Sequence, residues 1–306
     1  MINLRQARLD DHWRTAFKRN YPLFVQNMEF TEGEVFGETK LTLKPGMNAI
    51  VGKNGIGKSN FIRAIYNSLK SDSSNRQKFS KLLDKSKIKF DLIISGEDLS
   101  LELRPFEKNE IKQDILCLLF DPCTLIPEIQ NLFVQQENLT ELLESYSPNR
   151  LSADELKLVN FITNTKYSSI EIINIEDEYE SFPMLPFFSV ERDDVRYDSR
   201  AMGLGELSLL YYFWIVDYIG KSKSNSLLII EEPESFLPPL IQNRLCDVLA
   251  MTLAIKGVAC LISTHSECPL VLPKVSIYRP NHRHSSSNHG AHTQRDTLSN
   301  ALVDSD

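Results

Sequence analysis

The stretch Gly52-Lys53-Asn54-Gly55-Ile56-Gly57-Lys58-Ser59 constrains this chain more than any other. It fits the pattern G-x-x-x-x-G-K-[ST]. It also stands between an apolar run, Met47 to Val51, and a segment from Phe61 to Tyr66 whose apolar residues fall at helical spacing. A strand that turns through glycines into a helix points several backbone N–H groups and the positive helix end at one place, which is what phosphate oxygens require. Lys58 then neutralises β- and γ-phosphate oxygens, and the Ser59 hydroxyl serves Mg²⁺. An ordinary glycine-rich turn can satisfy the pattern, but it has no reason to carry both flanks as well.

Three later segments complement this loop. Leu227 to Ile230 is a short unbroken apolar run, as in a strand buried on both faces, and it ends in Glu231-Glu232-Pro233-Glu234. Such a strand delivers carboxylates to one edge of a sheet; beside a phosphate loop, Glu231 suits Mg²⁺ held through water and Glu232 suits a water attacking the γ-phosphate. A second run, Val258 to Ile262, ends in Ser263-Thr264-His265-Ser266, which puts His265 at a strand tip within reach of the γ-phosphate. Ala201 to Ser208 contains Gly203 and Gly205 and leads into the helical run Leu209 to Val216, a glycine-bearing helix start of the kind that binds anions.

The chain has 306 residues and 42% hydrophobic content, enough to bury a core as one large α/β domain with an inserted lobe or as two smaller domains. A net charge of -7, from 34 basic and 41 acidic residues, excludes a whole-surface nucleic-acid binder and leaves only a local basic groove open. Met1 to Arg5 lacks the apolar core of a signal peptide. The longest apolar run, Leu207 to Ile219, falls short of the roughly 20 residues of a membrane span and includes Asp217. The expectation is a cytoplasmic protein with no membrane partner. Cys117, Cys123, Cys246, Cys260 and Cys268 contain no C-x-x-C pair and read as buried free thiols.

Alternation predicts strands at Phe24 to Phe30 and Thr39 to Leu43, and Lys44-Pro45-Gly46 is a turn feeding the strand before the phosphate loop. The polar and lysine-bearing stretch from Ser71 to Lys89 reads as a solvated face, with DNA contact as the alternative. A strand pair is expected at Phe90 to Ser95 and Leu99 to Leu103, then a strand from Ile115 ended by Asp121-Pro122. Helices are expected at Ile126 to Phe133, Leu139 to Leu143 and Ala153 to Ile162, the last with Ser152 as N-cap. Strand character returns at Ile170 to Ile175 and Phe187 to Val190. The resulting division is an N-terminal core half over 1–104, an inserted and mainly helical lobe over 105–198, a C-terminal core half over 199–279, and a polar tail over 280–306. The tail holds His282, His284, His289 and His292 at no standard zinc spacing, and Ser285-Ser286-Ser287 argues for flexibility.

The order of phosphate loop, glycine-led helix, Glu-Glu-Pro-Glu strand end and Ser-Thr-His strand end resembles the ATPase heads of the ABC superfamily. The likeness is to the soluble branch that includes chromosome-maintenance, recombination and OLD-type ATPases, and it spans residues 22–280. Met202 to Ser208, together with Glu231 to Pro239, most resembles the ATPase subunits of bacterial phage-defence systems such as Septu and its retron-linked relatives. The resemblance implies an α/β, P-loop NTPase fold of the ABC-type head, with a mixed β-sheet core and an inserted helical lobe, using ATP and Mg²⁺.

By the same resemblance, Gly52, Lys53, Asn54, Gly55, Ile56, Gly57, Lys58, Ser59 and Asn60 bind the nucleotide, Ser59 and Glu231 hold the metal, Glu232 is the base, and His265 is the switch histidine. Glu234 to Leu237 is the loop at the subunit interface, and Met202, Gly203, Leu204, Gly205 and Glu206 cap ATP from the opposite subunit. Two heads sandwiching two nucleotides make the protein a homo-oligomer. The common capping motif Leu-Ser-Gly-Gly-Gln/Glu is altered: Gly203 stands at the serine and Leu204 at the first glycine, so Ser199 or Ser208 would have to supply the hydroxyl. Gln130, Gln135 and Gln136 are the candidates for the glutamine of the Q-loop. The relatives further imply a separate HNH nuclease partner and DNA or retron nucleic acid. The implied role is an ATP-hydrolysing sensor or gate in antiphage defence. The alternatives are an ATP-locked scaffold that hardly hydrolyses, a DNA-repair or chromosome-maintenance type ATPase and, fitting less well, the nucleotide subunit of a membrane transporter.

Overall fold

The structure, a computed structural model, describes residues 11–16, 19–32, 39–52, 57–69, 87–104, 114–176, 182–222, 225–265 and 276–278. Lys53, Asn54, Gly55 and Ile56, the lysine-bearing stretch up to residue 86, Cys268 and the histidine-bearing tail lie outside the described residues. A helical stretch over residues 11–16 (α1) comes first. It is followed by β1 (Leu23–Glu32), β2 (Thr39–Thr42), β3 (Met47–Val51), α2 (Lys58–Leu69), β4 (Lys87–Ile94), β5 (Glu97–Leu103) and β6 (Ile115–Phe120). The middle of the chain forms α3 (Pro122–Gln135), α4 (Leu139–Glu144), β7 (Asn149–Arg150), α5 (Ala153–Thr163), β8 (Ser169–Ile175), β9 (Leu185–Arg192) and β10 (Val195–Asp198). Then come α6 (Leu204–Lys221), β11 (Asn225–Glu231), α7 (Pro239–Lys256), β12 (Ala259–Thr264) and β13 (Ser276–Tyr278).

Among the described residues the fold is mixed α/β, with three sheets. The unbroken apolar runs become a five-stranded sheet of order β13-β3-β12-β11-β6 in which every neighbouring pair is parallel. Its register sets Ile230 beside both Ile262 and Phe120, and Thr264 beside Val51. The carboxyl ends of β3, β12, β11 and β6 therefore share one edge, the edge where ligands bind in sheets of this kind.

The second sheet, β2-β1-β4-β5, is antiparallel. In β1 the buried positions switch from Leu23 and Val25 to Met28 and Phe30, which a strict alternation of two cannot produce. A register shift between Val25 and Asn27 supplies the missing residue, so that both halves of the strand face the core.

The third sheet, β10-β9-β8-β7, is also antiparallel and lies with α3, α4 and α5 in the segment expected to be mainly helical, which also holds core strand β6. Ser152 caps α5 with a full capping box to Glu155. Helix α3 begins four residues ahead of its expected start. Pro122 reads as a breaker in sequence, but at the first helical position its missing N–H costs nothing, and Asp121 caps the helix by accepting from Thr124 N at 3.2 Å.

Helix α6 carries the longest apolar run, and every residue from Leu207 to Val216 is buried. It is a central helix, packed on α3, α5, α7 and β9. Among the described residues no helix is long and apolar enough to cross a membrane. Phe120 joins this helix to the sheet: its ring meets Tyr212 edge-on at 4.7 Å and lies 5.9 Å from Phe182. Cys117, Cys246 and Cys260 are buried free thiols as expected, whereas Cys123 is exposed.

Phe120 is fully buried, so truncating it leaves a void between sheet and helix. Phe120→Ala should lower unfolding stability by about 3–5 kcal/mol in urea titration; a loss below about 1 kcal/mol would show that this junction is not tightly packed.

Candidate functional site

At the carboxyl edge of the central sheet lies a cleft of about 570 Å³ lined by Gly57, Lys58, Ser59, Asn60, Glu232, Glu234 and His265. Gly57 has a φ of +90°, the left-handed backbone that lets the chain turn straight into α2, whose first residue is Lys58. Lys58 is only 5% exposed. Its Nζ donates to the Gly52 carbonyl at 2.9 Å and lies 2.8 Å from His265 Nε2. Burial pushes the ammonium's pKa below the usual lysine value, against the opposing pull of Glu232, Glu234 and Glu231. An anion bound beside Lys58 would add charge compensation that the buried ammonium needs.

The two carboxylates after Ile230 diverge. Glu231 ends β11 at 4% exposure, with Arg63 Nε donating to its Oε2 at 3.0 Å. Burial raises its pKa; Arg63 and Ser59 pull it back. The next residue, Glu232, has a φ of +46°, uncommon for a residue with a Cβ, and is held there as its N–H donates to the Ser263 carbonyl at 2.8 Å. This turn sends Glu232 into the cleft, where its Oε1 lies 3.0 Å from His265 Nε2.

His265 Nε2 thus faces Lys58 and Glu232 together, and the two contacts ask opposite things of it. Towards Lys58 the nitrogen must accept; towards Glu232 it must carry a proton and donate. Nδ1 also lies 3.3 Å from Lys58 Nζ, so with the proton on Nε2 towards Glu232 the ring can still accept from Lys58 through Nδ1.

Glu234 holds the histidine's backbone in place. Its Oε1 accepts from His265 N at 2.7 Å and its Oε2 from Thr264 Oγ1 at 2.8 Å. The carboxylate that the resemblance puts in an interface loop therefore braces the tip of β12 within its own chain. Ser59, near enough to pull the Glu231 pKa down, and Glu231 itself provide two hard oxygen donors, and Mg²⁺ is commonly held by one or two carboxylates with substrate phosphates and water. The donor set fits that ion.

Met202 to Glu206 does not line the cleft. Met202 is buried, Gly203 caps α6, and a Cβ on Gly205 would come within 2.6 Å of the Phe236 carbonyl. Glu206 Oε1 accepts from both the Tyr167 and Tyr197 hydroxyls, each at 2.6 Å. Burial first and Glu206 second raise both phenols, Tyr197 to about 12. These bonds pin the start of α6 to the third sheet.

Neither serine offered as a substitute hydroxyl is available, which corrects that expectation. Ser199 is fully buried and bonds to Phe188, accepting from its N–H at 2.8 Å, and Ser208 is fully buried inside α6. The three glutamine candidates also lie away from the cleft. Gln130 donates to the carbonyls of Ser199 and Met202 at 2.9 and 2.8 Å, while Gln135 and Gln136 bond to Asn131 and Asn138 on the surface. At the tip of β6 the chain has Asp121, beside Glu231 at the end of β11.

Arg63, Asp121, Tyr167 and Tyr197 escaped the sequence reading. A signal existed for Arg63, a charge set between Ile62 and Ala64 on an otherwise apolar helix, and for Asp121, whose pairing with Pro122 is a helix-start signature. Nothing local marked the tyrosines.

Residues 139–272, less than half of the chain, match the family model described as "AAA domain, putative AbiEii toxin, Type IV TA system". A comparison with curated proteins gives no match. Among solved structures the chain is similar to the Smc head domain of Pyrococcus furiosus bound to the C-terminal domain of ScpA, at 13% identity over 81% of this chain and 91% of that one, with a TM-score of 0.47. It is similar to the SMC head domain from Thermotoga maritima, at 14% identity over 83% and 94% with a TM-score of 0.45. The recombination mediator protein RecF with ATP matches at 15% identity over 81% and 95% with a TM-score of 0.44.

Proposed function

We propose that this chain is an ATP-binding and ATP-hydrolysing head that dimerises around nucleotide and acts as a sensor or gate in a bacterial antiphage defence complex, controlling a separate nuclease. The observation that carries the ATPase reading is the meeting of Lys58, His265 and Glu232 at the tips of three neighbouring parallel strands and the helix that follows the glycine-rich loop. The defence role draws support from the resemblance of the Met202 to Ser208 and Glu231 to Pro239 segments, and from the family model's description as a toxin–antitoxin AAA domain.

In this mechanism the terminal phosphate replaces His265 as the partner of Lys58. Nε2 is then free to carry a proton and donate to Glu232, which orients the attacking water. Mg²⁺ held by Ser59 and Glu231 would supply charge neutralisation at the phosphates. Arriving nucleotide thus releases His265 from Lys58, and the ring reports phosphate occupancy to the neighbouring loops.

One observation favours a second reading, an ATP-locked scaffold with little hydrolysis. With Ser199 and Ser208 both buried, the turn before α6 offers Gly203 and backbone N–H groups, but no serine hydroxyl, to a nucleotide held by a partner.

Glu232→Gln should keep ATP affinity, slow phosphate release about 10²–10⁴-fold and trap a nucleotide-bound dimer; release at the wild-type rate would remove Glu232 as the base. A methyl group at Gly205 must push α6 away from the Phe236 carbonyl. Gly205→Ala should therefore cost about 1–3 kcal/mol in urea unfolding and weaken ATP-induced dimerisation; unchanged stability and assembly would show that the contact constrains neither.

A further inference from the structure

One charge lies on the buried side of α2 outside the cleft. Arg63 sits between Ile62 and Ala64, both fully buried, and its guanidinium spans two carboxylates. Nε donates to Glu231 Oε2 at 3.0 Å, and Nη2 donates to Asp121 Oδ2 at 2.8 Å. The carboxylates are neighbours because Ile230 pairs with Phe120 in parallel register, so the next residue of each strand, Glu231 and Asp121, stands at the same sheet edge.

Two nearly buried carboxylates side by side repel, and each has lost water. The planar fork of an arginine is suited to satisfying both, whereas a point-like ammonium is less so. Asp121 is itself fixed. It caps α3 through Thr124 N at 3.2 Å and accepts from Thr124 Oγ1 at 2.9 Å. Farther along the same helix, Gln130 holds the carbonyls of Ser199 and Met202, at the turn that leads into α6.

We propose that Arg63, anchored by Asp121, is a positioning residue that fixes the Glu231 carboxylate at the sheet edge beside Ser59, presetting the oxygen pair that takes Mg²⁺. The same bridge ties that pair to the cap of α3 and so to the helix that carries the turn before α6. The geometry makes the tie specific: a residue of the phosphate-loop helix sends one guanidinium nitrogen to each strand tip. This inference rests on the ATP-binding reading of the cleft.

The test measures binding of a fluorescent ATP analogue to the full chain, first in EDTA and then against increasing Mg²⁺, for wild type, Asp121→Asn, Arg63→Lys and Arg63→Gln. Asparagine still caps a helix, so Asp121→Asn keeps α3 while removing the ion pair. The expected result is wild-type affinity in EDTA for all three variants. The Mg²⁺ concentration for half-maximal tightening should rise about tenfold or more in Asp121→Asn and Arg63→Gln, and less in Arg63→Lys. A wild-type Mg²⁺ midpoint in Asp121→Asn and Arg63→Gln overturns the inference while leaving the ATP reading intact. Affinity lost equally in EDTA and Mg²⁺, with a lowered thermal midpoint, overturns it in favour of a purely structural bridge. Wild-type protein that binds no ATP analogue fails the cleft reading itself, and the positioning role with it.

Discussion

A lysine ammonium that is almost wholly buried at the first residue of a helix must find compensation, and the polar edge of the central sheet is arranged around that need. Lys58 meets a backbone carbonyl and a histidine nitrogen, with Glu232, Glu234 and Glu231 close enough to oppose the effect of burial on its charge. Left in an apolar setting, such a group would favour its neutral form. The site is therefore charged and held together before any ligand enters, and a phosphate would substitute for protein partners already in place.

What brings those partners together is strand register. Parallel pairing of β11 with β12 and with β6 places Glu231, Ser263 and Asp121 at one edge, and β3 beside β12 adds the loop that leads to Lys58. The positive φ at Glu232 separates two consecutive carboxylates into different jobs, one against Arg63 and Ser59, the other facing the cleft. Local strain here has a use: an extended backbone at Glu232 would carry the strand onward instead of returning its carboxylate towards His265.

The strands of the central sheet were legible because burial on both faces leaves unbroken apolar runs, and their last residues announced the carboxylates and the histidine. The capping box at Ser152 was legible for the same reason, since it is a local hydrogen-bond pattern. Helix α3 begins ahead of its expected start because Pro122 looks like a breaker until the Asp121 cap is recognised. Glu206 looked ready to meet a nucleotide, yet two tyrosines 39 and nine residues away in sequence hold it. The Arg63 bridge and the burial of Ser199 and Ser208 likewise depend on contacts between distant segments, which no local pattern encodes. The phosphate-loop residues Lys53 to Ile56 lie outside the described residues, so their reading rests on the motif alone.

In the proposed mechanism ATP binds at Lys58 and draws two heads together. Mass photometry of the purified chain without nucleotide and with ATP and Mg²⁺, each paired with the Lys58→Ala variant, tests it most directly. The wild type should be a monomer that becomes a dimer or larger species only with ATP, and the variant should stay monomeric under both conditions. A wild-type mass indifferent to ATP, or a Lys58→Ala variant that assembles as the wild type does, would contradict it.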